Sequence, residues 1–430
     1  MIRYEKDLDV LAKYDVTVIG SGPAGICAAV AAARRGKKTA IIERYGIVGG
    51  NLTIGCVGPI LGNVAPGTMF DELSRLLLTE NGEKKSGRVH DMERAKRILL
   101  DFLMEAGVTI YLQAQVLDVV MSANKLTGVV LAQKSGLGVI ESECFIDATG
   151  DGDVAAAAGV PWEIGRTGDG KLQPVTLMFI IENVDDSRAI SCYGEEDEVK
   201  LGDERFLEFT ARCCEDGRLP KNCSSVRLYP TTHAGERLVN TTQANDIDPL
   251  SSEDILKAEV ELRHQIDKIV TFLQKYVPGY ENCTVKTGAS TLGIRESRRI
   301  LGEYVLDVED LRAGRRFPDV IVHKANFVVD IHNPVGGGQE FGLAEVVKPY
   351  DIPYRCLVPR TVQNLLLAGR CISGTHEAMA SFRVMSICMA IGEAAGIAAA
   401  IAIDTKVSPR EVAAQSIQKE LTAKGADLYS

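Results

Sequence analysis

Two histidines and one arginine are the residues whose chemistry best suits proton transfer and substrate binding. His376 lies in the segment GTHEA, and His332 lies in DIHNP. An imidazole can accept or return a proton near neutral pH. Arg295 lies in GIRESRRI, and a guanidinium binds carboxylate or phosphate through paired N–H donors. We predict His376, His332 and Arg295 as catalytic residues, with His376 as the proton donor or acceptor.

Each of these residues also has a structural interpretation. His376 could cap a helix or hold a loop, and His332 could pack at the end of a strand. Residues 293–300 predict a strand in which Arg295 and Arg299 share one face, because side chains alternate along a strand. Two arginines on one face suit an anionic substrate, although ion pairs within a sheet would explain them equally well.

The eleven cysteines do not form a metal or cluster motif. Cys213, Cys214 and Cys223 lack the paired C-x-x-C spacing of zinc and iron–sulfur sites, so we predict no metal site. Cys56 stands alone in GNLTIGCVGP, where a local redox disulfide would need a second cysteine. It could touch a cofactor, line a substrate pocket or pack as a small apolar residue.

The glycines Gly20, Gly22 and Gly25 form G-x-G-x-x-G between an apolar run, DVTVI, and an alanine-rich segment. This order of predicted strand, turn and helix is typical of a dinucleotide-binding βαβ unit. Gly20 permits the tight turn, Gly22 lets the backbone approach a pyrophosphate, and Gly25 lets helix and strand pack closely. Glu43 ends the next apolar run and can accept hydrogen bonds from ribose hydroxyls.

Four further segments carry a resemblance to a known family. They are FIDATGDGDVAAAAGVP, NLLLAGRCISGTHE, GIRESRRILGEYVL and YDIPYRCLVP. Together with the glycine turn they resemble the FAD-dependent oxidoreductases, glutathione-reductase-like flavoproteins related to the flavin subunit of heterodisulfide reductase. The resemblance covers nearly the whole chain and implies FAD as the cofactor. The sequence lacks the second glycine fingerprint that binds NAD(P)H in disulfide reductases, and it lacks iron–sulfur motifs.

The glycine turn and the resemblance together identify the residues expected to contact FAD. The predicted cofactor-binding residues are Gly20, Gly22, Pro23, Ala24, Gly25, Glu43, Arg44, Gly50, Asn51, Val116, Ala148, Thr149, Gly150, Gly369, Arg370 and Arg383. Arg370 departs from the wider superfamily, which usually has an acid there that binds the ribitol. It could contact a phosphate or flavin oxygen, or be solvated. The N-terminus of the helix after Met385 would place a favourable dipole at the flavin.

The predicted elements and the resemblance indicate an α/β fold with a Rossmann-type, glutathione-reductase-like FAD-binding domain and an inserted α+β substrate domain. A chain of 430 residues exceeds one ordinary core. The predicted FAD-binding domain is discontinuous, with residues 1–160 and 334–430, and the substrate or cap domain is 161–333. The glycine-rich segment 333–342 is predicted to be a loop near the flavin.

Charge and composition exclude several classes of partner. A formal net charge of −10 argues against nucleic acid. The charged N-terminus lacks a signal-peptide core, so we predict a cytoplasmic protein with reduced cysteines. Residues 385–403 are apolar, but Glu393 near their middle predicts a buried helix and no membrane span. The expected partner is a small-molecule substrate, which could be anionic. A separate electron donor or acceptor protein and a homo-oligomer stay open.

These inferences favour an enzyme, a FAD-dependent dehydrogenase or reductase that transfers hydride between a small polar substrate and flavin N5. It would use neither a redox disulfide nor a dedicated NAD(P)H domain. The alternative is a flavin electron-transfer subunit of a larger redox complex related to heterodisulfide reductase. A third interpretation is a scaffold in which FAD is only structural, and it predicts that no small molecule reduces the flavin.

Overall fold

Short apolar runs separated by glycine turns form the strands of the largest sheet. The computed structural model describes residues 2–3, 5–78, 89–194, 196–340 and 344–429. The described strands are β1 (Val10–Ile19), β2 (Thr39–Ile42), β3 (Thr109–Tyr111), β4 (Gln115–Ser122), β5 (Lys125–Gln133), β6 (Gly136–Asp147), β7 (Trp162–Glu163), β8 (Phe179–Glu182), β9 (Lys200–Leu201), β10 (Glu204–Arg205), β11 (Arg227–Pro230), β12 (Arg237–Asn240), β13 (Thr284–Gly288), β14 (Arg299–Ile300), β15 (Val320–Ala325), β16 (Tyr350–Pro353) and β17 (Leu365–Leu367). The described α-helices are α1 (Pro23–Arg34), α2 (Met69–Leu77), α3 (Met92–Glu105), α4 (Asp153–Ala157), α5 (Phe206–Glu215), α6 (Ser252–Tyr276), α7 (Val308–Ala313), α8 (His376–Phe382), α9 (Met385–Thr405) and α10 (Ala414–Ala423).

The parallel strands of the largest sheet follow the order β3-β2-β1-β6-β17. Helix α1 connects β1 to β2, which is the βαβ unit that the glycine spacing predicts. Every residue of β2 is buried, as is typical of a parallel sheet covered on both faces. The sheet has the Rossmann-type α/β architecture, so the predicted fold class is confirmed.

Strand β6 belongs to two kinds of pairing along its length. Its first half pairs antiparallel with β5, which pairs with β4, and its last residues pair parallel with β17. The β4–β5 hairpin turns between Ser122 and Lys125, where Ala123 has a positive φ of 53°. Strands β4, β5 and β6 therefore form an antiparallel meander that extends the sheet away from the glycine turn.

A second hydrophobic core lies beneath a four-stranded antiparallel sheet of order β11-β12-β8-β13. Helix α6 contributes buried side chains at helical spacing to it, namely Ala258, Leu262, Ile266, Ile269, Phe272 and Leu273. The helix begins after Ser251, whose hydroxyl accepts a hydrogen bond from the N–H of Asp254 at 3.3 Å. Such a cap satisfies a backbone donor that the first turn leaves free.

The residues of the two hydrophobic cores are divided along the chain at positions that differ from the predicted domain boundaries. Apart from Cys56, the buried residues of the second core lie between Val175 and Leu292. Residues from Ile300 to Val329 pack in the first core, because β15 pairs with β16 of the first core. The second core therefore spans a shorter part of the chain than the predicted substrate domain, 161–333, and the domain boundaries stay a prediction.

Helix α9 is long and apolar enough to cross a membrane, but 94% of its apolar stretch is buried inside the protein. Glu393 at its middle accepts a hydrogen bond from the N–H of Met69 at 2.7 Å. A Cβ on Gly392 would lie 2.0 Å from the carbonyl oxygen of Ala24, so α9 contacts α1 through backbone. The predicted burial of this helix is confirmed.

Candidate active site

A cleft of about 1350 Å³ opens at the carboxyl ends of β1, β2, β6 and β17. In open α/β sheets, ligands bind at this edge. The opposite wall contains Ile54, Thr291, Leu292 and Ile294. Because Leu292 belongs to the second core, the cleft lies between the two cores.

The three glycines of the turn have three different surroundings. A Cβ on Gly20, which has a φ of +94°, would lie 2.4 Å from the carbonyl oxygen of Ala148. A Cβ on Gly25 would lie 1.9 Å from the carbonyl oxygen of Gly20. A Cβ on Gly22 would meet nothing within 4 Å, and Gly22 lines the cleft. This turn therefore leaves space at the N-terminus of α1, where free N–H groups suit a pyrophosphate.

Glu43 is held at the end of β2 by the turn itself. One carboxylate oxygen accepts hydrogen bonds from the N–H of Ser21 at 2.9 Å and from its hydroxyl at 2.6 Å. The other accepts from the N–H of Tyr45 at 2.9 Å. Ionised carboxylates have about four acceptor positions, so Glu43 can still accept ribose hydroxyls within the cleft.

All the predicted cofactor-binding residues except Gly25 line this cleft. Gly25 lies behind it, where it permits the close contact between α1 and the turn. Val116 and Arg44 line one part of the cleft, and Gly369 and Arg383 line another. The structure thus brings the predicted residues together, and their individual contacts with a cofactor stay predictions.

Arg370 is neither solvated nor free, because it pairs with an acid from another strand end. Its Nη2 donates to Asp151 Oδ1 at 2.6 Å, and its Nη1 donates to the hydroxyl of Ser297 at 2.9 Å. Burial opposes ionisation of Asp151, but Arg370 and the Ser297 hydroxyl hold its pKa below the ordinary value. The wider superfamily usually has an acid at position 370. Here position 370 is an arginine, and the carboxylate of Asp151 lies beside it.

Sequence reasoning missed several residues of the cleft. They are Ile19, Ser21, Ile42, Tyr45, Ile54, Ala114, Gln115, Asp151, Asp153, Thr291, Leu292, Ile294, Ala368 and Cys388. Tyr45 and Asp151 are each adjacent in sequence to a predicted cofactor-binding residue, so their position along the chain could have indicated them. Nothing in the sequence around Thr291 indicates a cleft residue, because Thr291 reaches the cleft only through the packing of the second core. Its hydroxyl lies 3.0 Å from that of Tyr45.

The sequence pattern of the family described as FAD dependent oxidoreductase matches residues 15–421. The chain belongs to this family. Its cofactor is FAD, and the open space at Gly22 and the acceptor Glu43 fit the pyrophosphate and ribose of a dinucleotide. The resemblance seen in the sequence is confirmed at this level.

Two curated relatives match parts of the oxidoreductase. Thiamine thiazole synthase from Pyrococcus horikoshii is 29% identical over 162 residues, which cover 35% of this chain and 62% of that protein. Dihydrolipoyl dehydrogenase from Rhizobium etli is 32% identical over 137 residues, which cover 30% of this chain and 27% of that protein. The matched part therefore spans less than two thirds of either relative.

Solved structures match over more of the oxidoreductase but with low identity. A geranylgeranyl bacteriochlorophyll reductase-like protein from Thermoplasma acidophilum is 16% identical with a TM-score of 0.49. The match covers 96% of this chain and 83% of that one. A flavin-dependent brominase, Bmp2, is 12% identical with a TM-score of 0.46, over 96% of this chain and 83% of that one.

The first predicted catalytic residue, His376, does not line the cleft but lies buried behind it. Thr375 caps α8, and His376 is the first helical residue. Its Nδ1 lies 2.9 Å from Glu296 Oε1, and Arg299 donates to the same oxygen at 2.5 Å. Its Nε2 is buried and has no hydrogen-bond partner among the described residues. One nitrogen is therefore oriented by a carboxylate while the other is available.

A hydrogen-bonded network joins this histidine to the cleft. Glu296 Oε2 accepts from the N–H of Gln173 at 3.1 Å. Gln173 Oε1 in turn accepts from the N–H of His332 at 3.4 Å and from Arg383 Nη2 at 3.5 Å. Because Arg383 lines the cleft, the network reaches the cleft wall from behind.

Asp330 connects Arg383 with His332, the second predicted catalytic residue. Its Oδ2 lies 3.2 Å from Arg383 Nη2 and 3.5 Å from His332 Nε2. Burial opposes ionisation of Asp330, but hydrogen bonding from His332 and the charge of Arg383 hold its pKa well below the ordinary value. Burial and the charge of Arg295 lower the pKa of His332 to about 4, so its imidazole is neutral at pH 7.

The segment that contains Arg295 is not the predicted strand. Of residues 293–300, only Arg299 and Ile300 pair in a strand, with β7. The side chains do not divide into two alternating faces, because Arg299 binds Glu296 three residues earlier. Arg295 itself is buried and donates from Nη1 to the carbonyl oxygen of Pro174 at 2.7 Å. Backbone pairing holds this segment only at Gly293, through a bridge with Thr176, and at Arg299 and Ile300, so local contacts set the directions of the side chains between them.

Cys56 packs in the second core and does not line the cleft. Its side chain is 7% exposed, and its backbone has a positive φ of 53°. Burial raises the pKa of its thiol to about 11, so the thiol is protonated at neutral pH. Of its three interpretations, the structure fits the small apolar residue.

Replacing Cys56 with serine is expected to leave the visible spectrum of bound FAD and its rate of reduction unchanged. A buried hydroxyl in an apolar site should lower the free energy of unfolding by about 1–3 kcal/mol. Absorbance spectra and denaturant unfolding of Cys56→Ser measure the two effects. Loss of flavin reduction with FAD still bound would instead indicate that the thiol takes part in the reaction.

Proposed function

We propose that this oxidoreductase is a dehydrogenase or reductase for a small polar substrate that binds where the cleft meets the second core. The supporting observation is the buried network that joins His376, Glu296 and Gln173 to Arg383 on the cleft wall. When bound, FAD supplies the hydride acceptor or donor. The chain supplies the orientation of the substrate and the proton.

His376 Nε2 is the proposed site of proton transfer. Glu296 fixes the imidazole through Nδ1, and a carboxylate in that position selects the ring orientation and tautomer. In the oxidative direction Nε2 would take the proton of a substrate hydroxyl, and in the reductive direction it would return one. The neutral His332 and the charged Arg383 would orient polar groups of the substrate.

The flavin of the purified protein is expected to bleach anaerobically with at least one member of a panel of small alcohols, amines and organic acids. Replacing His376 with asparagine, which can still bond Glu296, should slow this reduction about 100-fold or more while FAD stays bound. Replacing the exposed His264 with alanine is the control and should have no effect. Reduction of His376→Asn at the native rate would remove the proton-transfer role.

The same experiment separates the alternatives. Bleaching only with a second redox protein would favour an electron-transfer subunit, and the relationship to heterodisulfide reductase would then gain support. Substrate-dependent consumption of oxygen with insertion of an oxygen atom would indicate a monooxygenase and contradict the dehydrogenase proposal. A flavin that no small molecule and no protein reduces would indicate a structural cofactor.

A further inference from the structure

A second, smaller pocket lies in the wall between the network and the second core. It is open to solvent, has an empty volume of about 220 Å³ that includes part of this solvent, and is lined almost entirely by polar side chains. The lining residues are Asn222, Ser225, Arg227, Asn240, Thr241, Thr242, Gln243, Arg295, His332 and Gly338. No Asp or Glu is among them, so the pocket offers cationic and neutral polar groups but no carboxylate.

Arg295 is a buried charge of this pocket, and the charge of Asp330 favours its ionised form without a direct ion pair. The residue is 8% exposed, and none of the described Asp or Glu side chains forms an ion pair with it. Its hydrogen bond to the carbonyl oxygen of Pro174 uses one of five N–H donors. Burial and the nearby charge of Arg383 lower the pKa of Arg295 to about 9. A buried guanidinium with free donors is stabilised when an anion occupies the space in front of it.

Neutral groups complete the lining. The hydroxyl of Thr241 is buried and has no hydrogen-bond partner among the described residues. His332 is neutral at pH 7 and 5% exposed. Both can bond an anion without adding a competing negative charge, which a carboxylate-lined pocket would not allow.

The glycine-rich segment described from Asn333 to Glu340 contributes Gly338 to the lining of this pocket, and none of these described residues lines the cleft. Asn245 Nδ2 donates to the carbonyl oxygen of Asn333 at 2.9 Å, and Gln243 Nε2 donates to that of Gly336. A Cβ on Gly337 would lie 2.8 Å from the hydroxyl of Ser224, so glycine is needed for this close approach. The last two residues of the predicted loop, 341–342, lie outside the described residues.

We propose that this pocket binds the carboxylate of a small organic acid, with Arg295 as its ion-pairing residue and Thr241 and His332 as hydrogen-bonding partners. The proposal rests on the proposed function, since it names the substrate class of the same site. Asp330 touches both His332 in the pocket and Arg383 on the cleft wall, so the bound carboxylate lies one residue away from that wall. The planar fork of Arg295 matches a carboxylate.

Calorimetric titration of the FAD-loaded protein with malonate, acetate, inorganic phosphate and chloride at constant ionic strength tests the proposal. Malonate or acetate should bind saturably, and Arg295→Met should weaken that binding about 30-fold or more. Arg295→Lys should give an intermediate loss, because the charge stays and the fork is lost. The matched control is Arg237→Met, since Arg237 is equally buried in the second domain but pairs with Asp186 away from the pocket.

Three results would overturn the carboxylate pocket. They are unchanged acid affinity in Arg295→Met, saturable binding of phosphate without binding of either acid, and no saturable binding of any probe. If Arg295→Met does not fold, Arg295→Lys and Thr241→Val decide, because both keep the size of the pocket. Unchanged acid affinity in both would also overturn it.

The flavin separates this test from that of the proposed function. Acid binding that depends on Arg295, without flavin reduction by any acid, contradicts the dehydrogenase and leaves the pocket standing. Flavin reduction by an acid that binds Arg295→Met with native affinity contradicts the pocket and leaves the dehydrogenase standing.

Discussion

Gly25→Ala is expected to unfold readily and to lose its yellow colour. The new Cβ would lie 1.9 Å from the carbonyl oxygen of Gly20 and 3.2 Å from the Cβ of Ala148. Moving α1 away from the turn would disturb its contact with α9, because a Cβ on Gly392 would already lie 2.0 Å from the carbonyl oxygen of Ala24. Overpacking of this kind costs about 3 kcal/mol, and the displaced turn would no longer present its N–H groups to FAD. Thermal unfolding of the apoprotein and titration with FAD measure both losses.

Gly22→Ala is the matched comparison, since the same methyl group is added three residues earlier. Gly22 has a φ of −67°, which alanine adopts freely, and no atom lies within 4 Å of the new Cβ. The apoprotein should therefore melt as the native chain does. The methyl group would point into space that the pyrophosphate needs, so the affinity for FAD should fall about 10-fold. Native FAD affinity in Gly22→Ala would contradict the assigned position of the pyrophosphate.

Glu296→Gln is expected to be the most damaging single change in the buried network. The side chain of Glu296 is fully buried, and its ion pair with Arg299 is 4% exposed on the arginine side. Removing one partner of a buried pair leaves the other charge uncompensated and lowers the free energy of unfolding by about 3–5 kcal/mol. It would also release Nδ1 of His376 from its carboxylate. Denaturant unfolding of the FAD-loaded protein measures the effect.

Glu72→Gln makes the same chemical change in an exposed pair. Glu72 binds Arg34 through two hydrogen bonds of 2.7 Å, but both side chains are more than a third exposed. Exposed pairs contribute about 0–1 kcal/mol, so this variant should unfold close to the native chain. Equal losses in the two variants would show that burial does not govern the Glu296 pair. A double change, Glu296→Gln with Arg299→Met, should recover part of the lost stability.

The parts of the fold that follow from local sequence could be predicted. Gly20 specifies the turn through its positive φ, Gly25 through its close contact with Gly20, and Ser251 specifies the start of α6 through its own hydroxyl. Apolar runs of β1 and β2 indicate burial on both faces. In each case the deciding contact lies within a few residues of the pattern, so the sequence contains it.

The parts that depend on distant contacts could not be predicted. The ion pair between Arg370 and Asp151 joins residues 219 positions apart. Thr291 reaches the cleft because the second core folds against Tyr45. Residues 293–298 have the alternation of a strand, but among the described residues only Gly293 pairs, in a single bridge with Thr176, and alternation alone does not reveal whether a partner strand exists. The pairing of β15 with β16 likewise returns residues 320–325 to the first core.

Because the cleft has one wall from each core, cofactor loading and the relative position of the cores are thermodynamically linked. We expect FAD bound in the cleft to contact Leu292 and Ile294 as well as the glycine turn, and the free energy of those contacts would also resist separation of the cores. Helices α1 and α9 of the first core have little room to move relative to each other, because their backbones meet at Gly392 and Gly396. Loss of FAD should therefore loosen the joint between the cores and leave each core intact. Bound FAD would then hold the two cores together in addition to its role as a redox group.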